Sequence, residues 1–155
     1  MISSDIVGGV NLFEPSWDAE IEADGAVLRA TRLARHAGAD RLAANLYELE
    51  PAAVVSPLHF HHRNEELLFV LSGTPSLRRS DTDIRRLSPG EIVAFPAGPD
   101  GAHEILNESD HPARVLICAT NDLPEVAEQT DADRLAVITH EGLRLLPREP
   151  VIQAQ

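Results

Sequence analysis

The chain has 155 residues, is 43% hydrophobic, and carries a net charge of −12 from 25 acidic and 13 basic residues. This length fits one domain, and the negative charge argues against nucleic acid or an anionic membrane as a partner. All 13 basic residues are arginine, which excludes a Schiff-base lysine and a phosphate-loop lysine.

Location is predicted from what the chain lacks. Its single cysteine, Cys118, cannot form an internal disulfide, which fits a reducing compartment. The N-terminal stretch has neither the basic start nor the apolar centre of a signal peptide. No apolar run approaches the ~20 residues that span a bilayer. We therefore expect a cytoplasmic protein.

The first third of the chain predicts an arm followed by a hairpin. Residues 1–25 are polar and mixed, and we interpret them as an N-terminal arm. Residues 26–49 hold two apolar stretches separated by a turn signal around Gly38. The first stretch also fits a helical stripe, but we predict that the pair forms a β-hairpin.

From residue 54 onward the pattern is that of short β-strands. "ELLFVLSG" is one strand, two more flank residues 81–83, and "EIVAFPAGPDG" contains another. Residues 103–120 predict a hairpin about a turn at 110–112, residues 121–133 an irregular segment, and "RLAVITH" a last strand. Short strands with frequent turn signals indicate an all-β sandwich or barrel.

The segment "HFHHRNEE" predicts a metal site. In a strand, His59 and His61 point to one face and His62 points to the other. Glu66 begins the next strand, on the same face as the apolar side chains of Leu68 and Val70. A carboxylate on that face is costly to bury unless it is paired or bound to a metal.

His103 completes the predicted ligand set, because it lies on a later strand and shares a face with Ile105 and Asn107. Three imidazoles and one carboxylate suit one divalent transition metal, namely Fe, Mn, Zn, Ni or Co. The set lacks the thiolates of a structural zinc site and leaves up to two positions for a substrate. Inward positions Leu68, Val70, Phe95 and Ile105 predict a mainly apolar pocket, which fits an aromatic or ketone substrate better than a sugar.

These residues resemble the two motifs of the cupins. The first motif, G-x5-H-x-H-x3,4-E-x6-G, matches His59, His61, Glu66 and Gly73. The second motif, G-x5-P-x-G-x2-H-x3-N, matches Gly90, Pro96, Gly98, His103 and Asn107. The leading glycine of the first motif falls on Ala53, and four residues rather than two separate Gly98 from His103.

The chain is thus similar to small single-domain bacterial cupins of the conserved-barrel type. The resemblance implies an all-β double-stranded β-helix, or jelly roll, with N- and C-terminal extensions. The barrel would span 26–140, with its motif core at 41–120, between the arm 1–25 and a tail at 141–155. The metal would lie inside the barrel, bound by His59, His61, Glu66 and His103, and the resemblance also implies a homodimer.

Several alternatives stay open at this point. Glu65 could replace Glu66 as the ligand, because cupins tolerate both spacings. Asn107 either orients a ligand or makes a strand-end hydrogen bond. The barrel could also have kept its fold and lost its metal.

Two functions follow from the resemblance. The first is a metal-dependent enzyme, dioxygenase- or isomerase-like, acting on a small organic molecule, with Glu66 as a ligand that also serves in catalysis. The alternative is a non-catalytic module that binds or senses a small molecule through its metal. The specific reaction is not assigned by the sequence.

Overall fold

A computed structural model describes residues 10–148, which form strands and very little helix. The helical parts are α1 (Leu33–His36) and a 3₁₀ turn (Pro99–Gly101). Within this described range, no helix is long and apolar enough to cross a membrane. The strands are β1 (Ala19–Ala23), β2 (Ala26–Arg32), β3 (Leu42–Leu49), β4 (His59–His61), β5 (Glu66–Ser72), β6 (Ser76–Ser80), β7 (Asp83–Arg86), β8 (Ile92–Phe95), β9 (Glu104–Leu106), β10 (Ala113–Thr120), β11 (Glu125–Gln129), β12 (Arg134–Thr139) and β13 (Gly142–Pro147).

The strands form two antiparallel layers. One layer is a six-stranded sheet in the order β1-β2-β3-β10-β5-β8. The other consists of β13-β12-β11-β4 and β7-β6-β9, which an isolated bridge between His59 and His103 joins edge to edge. This architecture confirms the predicted jelly roll.

The hydrophobic core lies between the layers. Alternate residues of β5 and β10 face inward, so that Leu68, Val70 and Val115 are almost fully buried. Leu77 and Ile105 meet them from the opposite layer and belong to the same core cluster. Burying aliphatic side chains of this size stabilises the fold by roughly 1.5–3 kcal/mol each.

The predicted strands in "ELLFVLSG" and "EIVAFPAGPDG" are present as β5 and β8, and three further predictions are confirmed. β2 and β3 pair antiparallel across the turn around Gly38, and α1 occupies part of that connection. β6 and β7 pair around residues 81–83, and β12 covers most of "RLAVITH". In each case the turn signal and the strand pattern lie close together in sequence.

The predicted hairpin at 103–120 is wrong. β9 pairs with β6, whereas β10 pairs with β3 and β5 in the other layer. The turn signal at 110–112 therefore marks a crossing between layers, because a turn signal does not determine which strands pair.

The predicted irregular segment at 121–133 is also wrong, since β11 pairs there with β4 and β12. Its inward positions are Glu125 and Ala127, both buried, so it lacks the large apolar residues that reveal a strand. β1 falls inside the predicted arm and β13 inside the predicted tail. The domain boundaries 1–25, 26–140 and 141–155 stay predictions.

Candidate metal centre

Local backbone structure brings the four predicted ligands to the wall of one cavity. β4 presents His59 and His61 to the interior, and β5 begins at Glu66. His103 follows the 3₁₀ turn and pairs with His59 through backbone bonds of 2.9 and 3.1 Å. The turn thus accommodates the two additional residues after Gly98.

Gly101 shapes the turn that carries His103. A Cβ at Gly101 would lie 1.8 Å from the carbonyl oxygen of Pro96, so only glycine fits without moving the loop. The Gly101 carbonyl accepts a hydrogen bond from His103 Nδ1 at 2.8 Å. The His103 ring also stacks on Phe95, with centroids 3.7 Å apart.

The side chains converge on Glu66. Ligand atoms of His59, His61 and Glu66 all lie within 4.8 Å of one another. His61 Nε2 lies 3.4 Å from Glu66 Oε1, and His103 Nε2 lies 3.0 Å from Glu66 Oε2. The structure brings all four residues together, with His103 joined to the group through Glu66, and their role as ligands stays a prediction.

Two of the histidines have a defined ring orientation. Nδ1 of His59 bonds to the Pro57 carbonyl at 2.9 Å, as Nδ1 of His103 bonds to Gly101. A carbonyl can only accept, so each Nδ1 carries the proton and each Nε2 keeps its lone pair. These lone pairs are available to a metal in the pocket.

The electrostatics differ among the ligands. Burial lowers the pKa of His59 to about 4, and the nearby His103 and His61 add to the effect. Burial also lowers the pKa of His61, but the Glu66 carboxylate outweighs burial and raises it above its ordinary value. For Glu66 burial raises the pKa, yet the neighbouring imidazoles of His103 and His61 hold it well below its usual range.

The residues fit a bound transition metal. Glu66 Oε2 is buried without a hydrogen-bond partner, although His103 Nε2, whose ring carries its proton on Nδ1, lies only 3.0 Å away. Two ligands of one metal at roughly 2.1 Å lie at most about 4.2 Å apart, so the observed cluster needs only slight contraction. Converging lone pairs with unsatisfied bonds suit a shared cation better than a closed hydrogen-bond network.

The structure also separates the alternatives near the motif. Glu65 is exposed, whereas Glu66 lines the cavity. His62 points away from the cavity and pairs with Glu128 at 2.9 Å. Asn107 donates to the Leu49 and His111 carbonyls, so it holds the end of a strand and does not contact a ligand.

The cavity above the cluster measures about 210 Å³ and is half polar. The expectation of a mainly apolar pocket is wrong, because Leu68 and Val70 pack in the core and Phe95 lies against His103. Only Ile105 of the predicted four reaches the cavity wall. Besides the candidate ligands, the wall consists of Asn45, Tyr47, Val55, Ser56, Ile105 and Ile117.

Sequence reasoning missed Glu125. This glutamate is 2% exposed, and its Oε2 lies 3.9 Å from His61 Nδ1. The available signal was a glutamate at the start of "EVAEQ", directly after a proline in a segment interpreted as irregular. Asn45 and Ser56 were missed because short polar residues give no pattern of their own.

Comparison with known proteins gives a family and a set of similar structures. Residues 45–119 match the family model described as a cupin domain. No curated protein matches the chain.

The similar structures include two with coverage of most of the chain. One is a sugar phosphate isomerase of the cupin superfamily from Silicibacter pomeroyi. It has a TM-score of 0.73 and 29% identity, over 81% of each chain. A proposed sugar phosphate isomerase from Acidithiobacillus ferrooxidans has a TM-score of 0.74 and 24% identity, over 84% of this chain and 83% of that one. At 24% identity the second likeness concerns the fold alone.

A third similar structure covers less of the chain. The polyketide cyclase RemF from Streptomyces resistomycificus has a TM-score of 0.54 and 26% identity, over 63% of this chain and 68% of that one. Proteins with different activities therefore share this barrel, which means that the fold alone does not determine a reaction.

Proposed function

We propose that this chain, which belongs to the cupin superfamily, is a metal-dependent enzyme that isomerises a small hydroxy-carbonyl compound. The observation that carries the proposal is the convergence of His59, His61 and Glu66 within 4.8 Å at the wall of a half-polar cavity. His103 contributes through its contact with Glu66.

His59, His61, His103 and Glu66 would hold one divalent transition metal. Bound there, the metal would supply Lewis acidity towards the oxygens of a substrate. The neutral imidazole of His59, whose pKa is about 4, is ready to ligate at physiological pH. The low pKa of Glu66 keeps its carboxylate ionised, so that it can bind the metal and can also accept a proton from the substrate. This catalytic role stays a prediction.

The other polar residues of the wall would orient the substrate. Burial and the charge of Glu66 raise the pKa of Tyr47 to about 12, which keeps its phenol protonated as a hydrogen-bond donor. The Asn45 amide and the Ser56 hydroxyl offer further hydrogen bonds to hydroxyl or carbonyl oxygens. Donors of this kind stabilise the negative charge that develops on a carbonyl oxygen when the neighbouring carbon gives its proton to a base, here the Glu66 carboxylate, which would return the proton to the adjacent carbon.

The substrate class is supported by cavity size and by one similar structure. A cavity of about 210 Å³ is smaller than the roughly 300–1,000 Å³ of drug-sized sites, which favours a compact substrate. The Silicibacter pomeroyi protein, 29% identical, is a sugar phosphate isomerase. No arginine is among the described residues that line the cavity, so a phosphate group would have to lie towards the cavity mouth.

Proton exchange in D₂O tests this proposal. Protein loaded with each candidate metal is incubated with three- to six-carbon aldoses, ketoses and their phosphates, and deuterium incorporation beside the carbonyl is followed by ¹H NMR. We expect exchange that requires metal, is lost in Glu66→Gln, and persists in the control Glu65→Gln, whose side chain is exposed. Absence of exchange with every substrate that demonstrably binds would contradict isomerisation.

A non-catalytic binding or sensing module is the second candidate. It is favoured by the scarcity of acid–base groups, because Tyr47 is the one titratable residue among the described lining residues outside the candidate ligands. Dioxygen uptake with catechols and β-diketones would instead identify a dioxygenase. Metal-dependent binding without exchange or dioxygen uptake would support the binding module. Cytoplasmic location and a homodimeric state stay predictions.

A further inference from the structure

Glu125 is a buried carboxylate that is not one of the predicted metal ligands. Hydrogen bonds from neighbouring N–H groups hold it in place. Its Oε1 accepts from the backbone N–H of Arg63 at 3.1 Å and from that of Val126 at 2.8 Å. Its Oε2 accepts from the backbone N–H of Asn64 at 2.7 Å and from the Asn64 side-chain amide. Four N–H donors therefore fix both oxygens.

Asn64 is itself held in place. Its amide also donates to the Asp122 carbonyl at 3.0 Å, and its Oδ1 accepts from Thr120 Oγ1 at 2.9 Å and from the Asp122 backbone N–H at 2.8 Å. The position of the Glu125 carboxylate is thus determined by a network that runs from β10 to β11. A group fixed this firmly can orient a neighbour.

That neighbour is His61. Nδ1 of His59 and of His103 each donates to a backbone carbonyl, but Nδ1 of His61 is buried with no hydrogen-bond partner. The carboxylate oxygen Oε2 of Glu125 lies 3.9 Å from this nitrogen. A shift of about 1 Å would give the roughly 2.9 Å of an N–H···O bond.

We propose that Glu125 is a positioning residue that accepts the Nδ1 proton of His61 and thereby directs the lone pair of His61 Nε2 into the metal site. Glu125 would do for His61 what the carbonyls of Pro57 and Gly101 do for the other two imidazoles. The inference rests on the proposed metal centre. Partners of this kind hold the tautomer and orientation of a ligand, and removing one typically lowers metal affinity 10–100-fold.

The tautomer of His61 tests the inference without any variant of Glu125. Side-chain ¹⁵N shifts are recorded for the metal-free wild type, at a pH high enough for its imidazoles to be neutral. The His61 signals are identified by their loss in His61→Asn. We expect the proton on Nδ1. A proton on Nε2 would overturn the inference, because Glu125 would then have nothing to accept.

Metal affinity provides the second readout. Zn²⁺ competition with a chromophoric chelator is measured for wild type, Glu125→Gln and the control Glu128→Gln. Glu128 lies on the same strand but pairs with His62, which points away from the cavity. We expect 10–100-fold weaker Zn²⁺ binding and a mixed His61 tautomer in Glu125→Gln. Glu128→Gln should bind Zn²⁺ as tightly as the wild type does.

The outcomes separate this inference from the proposed function. If Glu125→Gln melts earlier but keeps the wild-type tautomer and Zn²⁺ affinity, its role is structural and the inference is overturned. If Glu125→Gln does not fold, the wild-type tautomer decides. If the wild type binds no metal, the proposed function fails, while the tautomer still reports whether Glu125 accepts from His61.

Discussion

His59 and His61 lie two residues apart on one strand, yet they differ in how they hold protons. Burial and neighbouring imidazoles lower the pKa of His59 to about 4, so this ring is neutral above pH 5. His61 faces the Glu66 carboxylate, which raises its pKa. A proton on His61 is therefore the main competitor of a metal at this site.

Metal affinity should rise with pH because of that proton. The pKa of His61 is raised above 6.5, so its proton still competes near neutrality and leaves only at higher pH. We expect affinity to increase through the range above pH 6.5 and to fall steadily from there to pH 5. Calorimetric titration with Zn²⁺ at several pH values measures this change. An affinity that does not vary between pH 8 and pH 5 would argue against histidine ligands.

Replacing His61 should remove the metal and leave the barrel folded. The core consists of aliphatic side chains such as Leu68 and Val115, which do not depend on His61. For His61→Ala we expect loss of metal binding and a change in unfolding free energy within about 2 kcal/mol, measured on the metal-free proteins in urea.

Circular dichroism of the same variant provides the control. A β-sheet spectrum like that of the wild type is expected. A random-chain spectrum would mean that the metal is structural and that the site has been misinterpreted.

The residue scale is where sequence was most informative. Two histidines at alternating positions, a glutamate and a third histidine at motif spacing, and three motif glycines predicted the four residues that the structure brings together. Sequence could not reveal that His61 lacks the carbonyl partner of His59, because that depends on loop positions. It did not reveal Glu125 either, because a glutamate after a proline is a weak signal in a chain with 25 acidic residues.

Among the elements, the turn after β5 depends on one glycine. Gly73 has φ +73°, and a Cβ there would lie 2.6 Å from both Ala113 Cα and the Pro112 carbonyl oxygen. These atoms belong to the start of β10 and the residue before it, and β10 pairs with β5. The close approach lets the strand that begins at Glu66 join the six-stranded sheet.

Gly73→Ala should therefore lower the free energy of unfolding by more than the positive φ alone would. Gly90 is the matched control, because it has φ +89° and a Cβ added there would meet nothing within 4 Å. We expect Gly90→Ala to cost about 1 kcal/mol and Gly73→Ala about 1–3 kcal/mol more, because of the clash. Guanidinium unfolding measures both, and equal costs would show that the contact is not tight.

Strands were predicted correctly where the sequence pattern was local and strong. The β2–β3 and β6–β7 hairpins each combine adjacent strands with a turn between them. The pairing of β10 with β3 and β5 was not predicted, because it joins segments about 40–80 residues apart, and no local signal encodes such a pairing. β11 was missed because its buried face carries Glu125 and Ala127.

At the scale of the whole molecule, the outer face of the six-stranded sheet carries exposed apolar side chains beside the ion pairs that Glu48 makes with Arg29 and Arg114. Leu42, Leu67 and Ile92 are 63%, 37% and 58% exposed there, on the side opposite Leu68 and Val70. Exposed apolar side chains on neighbouring strands are typical of an interaction surface. They support the prediction of a homodimer that covers this face.

A charge on that face should dissociate the dimer. We expect wild type to have the mass of two chains by light scattering, and Ile92→Glu to have the mass of one. Ile84→Glu is the control, because Ile84 is 47% exposed on β7 in the other layer. A monomeric wild type, or a dimeric Ile92→Glu, would contradict this interface.

The central claim is that His59, His61, Glu66 and His103 form a metal centre. Elemental analysis of freshly purified protein, prepared without chelator or His-tag, tests it most directly, beside a His59→Ala/His61→Ala control. We predict about one equivalent of a transition metal per chain in the wild type and none in the control. No metal in the wild type, even after reconstitution, would contradict the claim and leave a cupin barrel without its chemistry.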